Sequence, residues 1–194
     1  MANKNAPFGL RPYRHMLGGV VRINSFGDYR IATDYATGLW SGDPVVKSTT
    51  TNEIVSGAAS DTKFCGVFAG CEYTDSDGNY HFSKRWPASQ ATKTGSVIVA
   101  HVYDDPYISY VIQHDGTSAI TDYGSTFDIL YTTGSNTTGV SKVQLDTSNE
   151  GSSYINLVVL GPVNSPDNAV GANQLVEVMI NEHQLRAAVA SAGV

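Results

Sequence analysis

The stretch GSVIVAHVYDDPYISYVIQ, residues 95–113, decides the fold class of this chain. Its first half is rich in Val, Ile and Tyr, the β-branched and aromatic residues that favour strands. Asp104, Asp105 and Pro106 then interrupt the apolar pattern with a turn signal. A second strand-like run follows at once, over residues 107–113. The spacing predicts two antiparallel strands joined by a solvated turn.

Similar short runs recur along the rest of the chain, separated by Gly, Pro, Asn and Asp. Charged residues make up only 15% of the chain, against about 25% in an average protein, and Ser, Thr, Gly, Asn and Tyr replace them. About nine to eleven short strands are therefore expected, which is typical of an all-β barrel or sandwich. The further runs lie at residues 18–26, 29–35, 39–47, 54–55, 64–70, 127–131, 140–145, 154–160 and 175–180.

The last of these runs leads into the only segment that resembles a helix. Residues 175–180 alternate between two faces, as strand residues do. Asn181 then stands where a helix N-cap would stand, ahead of residues 182–189. The sequence predicts one short C-terminal helix over these residues.

Residues 72–86 have the pattern of a separate hairpin. Asp77-Gly78 or Gly78-Asn79 would supply the positive φ angles at its tip. Exposed aromatic rings can stack on sugars, so a surface or glycan contact is an alternative use of this hairpin. Aromatic side chains are equally common in cores and interfaces, and the sequence does not separate these uses. The candidate contact residues are Tyr73, Tyr80, Phe82 and Trp86.

Charge is spread unevenly along the chain. Residues 1–30 hold five basic residues and one acid, whereas residues 31–194 hold seven basic residues and seventeen acids, for a net charge of −6. An acidic body argues against nucleic acid as its partner. No apolar run approaches the length that spans a membrane, so we expect a chain made in the cytoplasm with no membrane partner.

Cys65 and Cys71 are the two cysteines. On one continuous strand they would stand ~20 Å apart, whereas a disulfide needs Cα atoms within about 7 Å. Two small buried thiols are the expected state, and a bridge would require the segment between them to fold back. Nothing in the cysteine content implies an oxidising compartment.

The sequence does not match the motifs that would indicate catalysis or metal binding. Counted from Asp75, a calcium loop would need its Gly at the sixth position and a Glu at the twelfth, but Gly78 is fourth and Trp86 is twelfth. Asp104 and Asp105 are adjacent and would face opposite ways on a strand. The chain has no Gly-x-Ser-x-Gly elbow and no phosphate-binding glycine loop. We therefore expect no enzyme, no cofactor and no metal site.

The first seventeen residues have a different character from the rest. Pro7 and Pro12 fix φ and remove backbone donors, and apolar residues alternate with basic ones between and after them. A free tail in water would gain nothing from this apolar content. We predict an extended N-terminal arm over residues 1–17 and a single β domain over residues 18–194, with an inserted hairpin at about 72–92. The candidate binding residues of the arm are Pro7, Phe8, Leu10, Arg11, Pro12, Tyr13, Arg14 and His15.

The opening MANKNAPFGLRPYRH, residues 1–15, resembles the start of small head decoration (cement) proteins of tailed bacteriophages. Later segments agree with this resemblance: LWSGDPVV at 39–46, FCGVF at 64–68, NAVG at 168–171 and VEVMINEH at 176–183. The likeness is patchy, its N-terminal part is the most specific, and residues 72–92 lie outside the usual pattern.

The resemblance implies a β-tulip-like fold and a non-enzymatic virion protein on the exterior of an icosahedral capsid. Such proteins bridge capsomers of the major capsid protein, often as trimers, and brace the shell. The arm would then lie on a neighbouring subunit, adding a strand or filling a groove, with its arginines paired to acids of the shell. A glycan- or receptor-binding virion surface protein is the alternative.

Overall fold

The computed structural model describes residues 3–51, 53–151 and 156–186. This part of the chain is nearly all β, with antiparallel sheets, which confirms the predicted fold class at that level. A single 3-10 turn, Ile120–Asp122, is the helical element of the described residues. The strands are β1 Arg11–His15, β2 Tyr29–Ile31, β3 Leu39–Trp40, β4 Pro44–Lys47, β5 Ile54–Ser56, β6 Gly66–Thr74, β7 Tyr80–Ser83, β8 Arg85–Trp86, β9 Ile98–Tyr103, β10 Ile108–Gln113, β11 Thr126–Leu130, β12 Gln144–Glu150, β13 Leu157–Pro162 and β14 Leu175–Ile180.

Six strands form the first sheet, in the order β1-β10-β14-β13-β11-β12. Strands β10 and β14 pair from Ser109 opposite Met179 to Gln113 opposite Leu175. Every residue of β10 is buried, because β1 and β14 flank it and other parts of the chain cover both of its faces. The first hydrophobic core collects on this sheet, around Tyr110 and Ile112.

The second sheet has the order β2-β9-β6-β4-β5, and β7 pairs with β6 beside this path. Strands β3 and β8 form a separate two-stranded sheet. Strand β6 is nine residues long and contributes to both cores: Val67 packs in the first hydrophobic core and Phe68 in the second. Side chains of successive strand residues point to opposite faces, so β6 ties the two cores together.

Residues 95–113 do form two strands, but the predicted pairing between them is wrong. Strand β9 pairs with β2 and β6 in the second sheet, whereas β10 pairs with β1 and β14 in the first. The chain crosses from one sheet to the other at residues 104–107. Strands that are neighbours in sequence need not pair with each other, because any strand in suitable register can bond to their backbone groups. Strands from more distant parts of the chain do so here.

The turn at this crossing is also not solvated, because Asp104 is fully buried. Its carboxylate accepts hydrogen bonds from the backbone N–H groups of Ser25 (2.6 Å) and Phe26 (2.8 Å) and from the Tyr29 hydroxyl (2.9 Å). A buried carboxylate is tolerated when hydrogen bonds replace its water. Asp104 thus holds the segment before β2 against the end of β9.

The N-terminal segment is extended, as expected, but it lies on its own molecule. Residues 11–15 form β1, an edge strand that pairs with β10 from Arg11 opposite Val111 to His15 opposite Ile108. Leu10 is 1% exposed and belongs to the first core. The prediction of an arm separate from the body therefore differs from the structure, because the open edge of β10 and a core site for Leu10 are available within the same chain.

The predicted C-terminal helix is not seen in the residues that can be described. Residues 181–186 form a bend, a β-bridge and turns. Phe64 and His183 make the bridge, and the Phe64 and Gln184 backbones hydrogen-bond over 2.9 Å. Backbone pairing with Phe64, just before β6, therefore takes the place of the predicted helix at residues 183 and 184. The remainder of the predicted helix, residues 187–189, lies outside the described residues.

The predicted hairpin at residues 72–86 is confirmed as a pairing of β6 with β7, from Cys71 opposite Ser83 to Thr74 opposite Tyr80. Gly78 at its tip has φ +90°, the left-handed conformation that glycine adopts without strain. The expectation for the cysteines also holds, since Cys65 and Cys71 are both buried free thiols.

Candidate partner-binding surface

The N-terminal segment over residues 3–15, here called the strap, is fixed to the body along its length. The Asn3 side chain donates to the carbonyl oxygens of Ala169 and Ala172, each at 2.8 Å. Gln113, at the end of β10, accepts from the Ala6 N–H (3.0 Å) and donates to the Lys4 carbonyl (2.8 Å). These bonds order the strap before any partner binds.

Three of the predicted binding residues of the strap serve the body of the protein. Leu10 is in the core, as described above. Arg14 forms a two-point ion pair with Glu177 of β14, at 2.7 and 2.9 Å, a geometry that holds a guanidinium in one orientation. His15 contacts Asp105 through Nε2 (3.1 Å). A partner could reach Leu10 only by opening the core, whereas the Arg14 side chain remains 59% exposed beside its ion pair with Glu177.

The imidazole of His15 also organises the start of the next loop. Its Nδ1 accepts hydrogen bonds from the backbone N–H groups of Leu17 (3.2 Å) and Gly19 (3.0 Å). Because Nδ1 accepts, the proton of the neutral ring is on Nε2, where it is donated to Asp105. His15 therefore has a positioning role at the end of β1.

Apart from the buried Gly9, the remaining residues of the strap are exposed or half-buried. Tyr13 is 50% exposed, Arg11 is exposed, and the Arg11 guanidinium lies 4.3 Å from the centre of the Phe8 ring. Cation–π contact of this kind keeps the arginine head on the aromatic face without burying it. Among the predicted binding residues of the strap, the exposed ones are Arg11, Tyr13 and Arg14, and the half-buried ones are Pro7, Phe8, Pro12 and His15.

Beside the strap runs an apolar loop, residues 16–28, that links the two sheets. The sequence predicts a strand at 18–26, but the structure has a loop there. Leu17, Val20 and Phe26 are each more than 60% exposed, which is unusual for large apolar side chains that lie close together in sequence. Gly18-Gly19 and Gly27 at its ends are the sequence signal for a loop.

Polar groups hold the apolar loop in place, although most of its large apolar side chains are exposed and only Val21 packs against the first core. Asp104 binds the Ser25 and Phe26 amides, as described above. Asn24 donates to the Ala100 carbonyl (3.1 Å) and accepts from the Val102 N–H (2.8 Å). A loop whose backbone is anchored while its large apolar side chains are exposed has the features of an interaction site.

Two of the four candidate glycan-contact residues are buried in the structure, and the other two are exposed. Trp86 is fully buried and Tyr73 nearly so, packed edge to face with ring centres 5.4 Å apart. Neither ring can stack on a sugar in this conformation, since the second core needs both of them. Tyr80 and Phe82 are 65% and 72% exposed and remain available to a partner.

Ionised carboxylates stiffen the hairpin. Hydrogen bonds from Tyr80 and His101 lower the pKa of Glu72 below its ordinary value. Hydrogen bonds from His81 and Asn79 lower the pKa of Asp75 to about 2. Both carboxylates stay charged at neutral pH and accept bonds from neighbouring side chains, so they hold the tip in shape.

Two kinds of feature are absent from the described ranges. No group of three or more His, Cys, Asp or Glu side chains there is arranged to hold a metal ion. No helix in those ranges has the length and hydropathy needed to cross a bilayer.

Comparisons with known proteins add no relative. No protein-family model, no curated protein and no solved structure matches this chain.

Proposed function

We propose that this chain is a structural, non-enzymatic protein of a tailed-bacteriophage virion. It binds the outer surface of the icosahedral capsid and stabilises the shell by bridging capsomers of the major capsid protein. The motif resemblance of residues 1–15 supports the class, and the same resemblance supports a β-tulip-like arrangement of the two sheets. It acts on the capsid exterior after synthesis in the host cytoplasm, without nucleic acid, membrane or cofactor.

One observation carries the proposal: an ordered strap and an anchored apolar loop lie next to each other in the chain and present large side chains to solvent. Tyr13, Leu17 and Phe26 are all at least half exposed. When a partner covers these apolar side chains, little conformational entropy is lost, because the backbone that carries them is already held in place. A shell also presents many equivalent sites, so several weak contacts per copy, or self-association as a trimer, would multiply avidity.

The test is reconstitution on heads assembled without this chain. The full chain is expected to bind at saturating occupancy and to raise the temperature at which the heads open. Deletion of residues 1–15 is a poor variant because it removes Leu10 from the core. The sharper variant is Leu17→Ser with Phe26→Ser, expected to reduce occupancy, with Ile120→Ser as control because Ile120 is 71% exposed outside this surface. Full occupancy by the double variant would contradict the role of the loop, and no binding by the unaltered chain would contradict the function.

A second candidate function, binding of glycan or a receptor by a virion surface protein, is favoured only by the exposed Tyr80 and Phe82. The variant Tyr80→Ala would abolish binding to cell-surface polysaccharide under this alternative, while its binding to heads would be unchanged. A glycan array on which the unaltered chain shows no binding would exclude the alternative.

A further inference from the structure

A depression of about 400 Å³ lies beside the strap. Phe8 and Arg11 of the strap form one side of it, Lys84 lies on another, and Ala69 and Tyr103 of the second sheet also line it. The strap thus covers part of the second sheet at the point where β6 and β9 pair irregularly, between Phe68 and Gly70.

A second depression, of about 420 Å³, opens between the apolar loop and the hairpin. Ile23 and Phe82 form its walls. Three residues line both depressions, namely Ala69, Lys84 and Tyr103. Because they share these residues, the two depressions adjoin each other between the strap and the hairpin, and together they are here called the groove.

The charged side chains that line this groove are basic. Arg11 and Lys84 line it, and neither forms an ion pair within the described part of the chain. Its histidine, His101, is bound to Glu72 over 2.7 Å. No carboxylate is found among the described residues that line either depression. The groove is therefore cationic, with mixed polar and apolar walls in the first depression and mainly apolar walls in the second, on a protein whose net charge is −6.

We propose that the groove binds an extended acidic segment of a partner polypeptide. The second depression takes an apolar side chain of the segment, and carboxylates of the segment pair with Arg11 and Lys84 at the first. Alternate side chains of an extended chain point to opposite sides, so an apolar residue can enter the second depression while its acidic neighbours lie along the rim. This inference rests on the proposed function, because it names the kind of segment that the shell presents.

Polypeptide suits the groove better than sugar does. Sugar hydroxyls are bound by amide and carboxylate side chains that have free hydrogen-bonding groups. Asn24 is the amide side chain that lines the second depression, and its oxygen and nitrogen are both bonded to β9. Ile23 and Phe82 offer apolar contact instead, which matches peptide side chains.

Two synthetic peptides test the occupant against the full-length protein. In one peptide Glu alternates with Val and Phe, and in the other Lys replaces each Glu. Amide shifts in NMR spectra are expected at Ala69 and Tyr103 with the Glu peptide and not with the Lys peptide. Oligomeric alginate, an acidic polysaccharide, is expected to cause no shift there. Equal binding of both peptides, binding of alginate in the groove, or no shift with the Glu peptide would overturn the proposal.

The double variant Arg11→Glu with Lys84→Glu is expected to weaken binding of the Glu peptide about tenfold or more. Arg30→Glu with Lys93→Glu carries the same change of charge on exposed residues outside the groove, and is expected to bind within about twofold of the unaltered protein. Circular dichroism and thermal unfolding check that each variant folds, and Lys84→Glu alone preserves the contact between Arg11 and Phe8. Unchanged affinity of the double variant would contradict the assignment of the two cations.

Head binding separates this inference from the proposed function. If the double variant decorates heads as fully as the unaltered chain, the groove is not the shell contact, and the inference fails while the function stands. If the unaltered chain does not bind heads, the proposed function fails, whatever the peptides show. Loss of decoration in the double variant alone supports both.

Discussion

At the scale of single residues, Asp43 and His183 are buried titratable side chains with opposite effects on stability. Burial raises the pKa of Asp43 to about 6, although the Trp40 N–H donates to its carboxylate. Burial lowers the pKa of His183 to about 4. Between pH 4 and 6 the folded protein therefore binds a proton at Asp43 that the unfolded chain lacks, and it lacks one at His183 that the unfolded chain binds. The two contributions oppose each other on acidification.

Asp43→Asn is expected to remove the contribution that stabilises the fold at low pH. Asp43 favours the folded state as pH falls from 6 towards 4, and this gain is lost as pH rises through 6. The variant should therefore be more stable relative to the unaltered protein at pH 7.5 than at pH 4.5, by about 2 kcal/mol. Urea unfolding over this range measures the difference. Asp34→Asn, at an exposed site, is the control, and an identical pH dependence in both variants would refute the role of Asp43.

His183→Gln is expected to act in the opposite direction. The buried ring resists protonation, so the unaltered protein loses stability at this residue as pH falls from 6.5 to 4. Without the ring, acidification from pH 7.5 to 4.5 should cost about 2–3 kcal/mol less. The same urea titrations test this, with the partly exposed His81 changed to Gln for comparison. A slope equal to that of the unaltered protein would show that His183 titrates normally.

At the scale of elements, the entry into β1 depends on one close approach of backbone segments. Gly9 has φ +73°, and a Cβ placed there would lie 2.5 Å from the Ser141 Cβ and 2.6 Å from the Gly42 oxygen. Gly18, in the apolar loop, has a similar φ of +78° but nothing within 4 Å of a Cβ. The two positions share a left-handed backbone and differ in their surroundings.

Gly9→Ala and Gly18→Ala therefore separate backbone strain from packing. Gly18→Ala is expected to cost about 1 kcal/mol of unfolding free energy, since only the left-handed conformation is disfavoured. Gly9→Ala adds a clash that a packed region cannot absorb, and should cost roughly 3 kcal/mol or more. Denaturant unfolding of both variants gives the comparison. Equal losses would mean that the strap moves away from residues 42 and 141 without cost.

At the scale of the whole molecule, the two hydrophobic cores meet along β6. Val67 and Phe68 are neighbours on β6, yet they belong to different cores. Loss of either core would remove packing from β6, so the two cores are expected to unfold together. Trp86 reports on the second core, in which it is buried.

Leu157→Ala tests this coupling because Leu157 is fully buried in the first core, on β13. The substitution is expected to cost about 2–5 kcal/mol. If the cores unfold together, tryptophan fluorescence and far-ultraviolet circular dichroism should show the same lowered midpoint. Ile120→Ala, at an exposed site, should leave both midpoints in place. A fluorescence transition that stays at its original midpoint would show two independent folding units.

The sequence alone was sufficient for features that depend on neighbouring residues. Alternation and β-branched residues identify an all-β chain, and Gly78 between polar residues identifies the hairpin tip, because turn geometry is a local property. Two small thiols six residues apart were also correctly expected to be buried and unbridged. For the partner surface, the sequence selected the strap but not the apolar loop, which resembled a strand.

Only the tertiary structure decided where these elements go. Residues 95–113 gave no sign that β9 and β10 join different sheets, since strand pairing depends on residues far away in the chain. Whether Trp86 is covered while Phe82 is exposed, and whether Leu10 fills its own core or another subunit, are likewise set by packing between distant segments. Amino-acid pattern specifies which face of a segment is apolar, whereas only the folded chain specifies what covers that face.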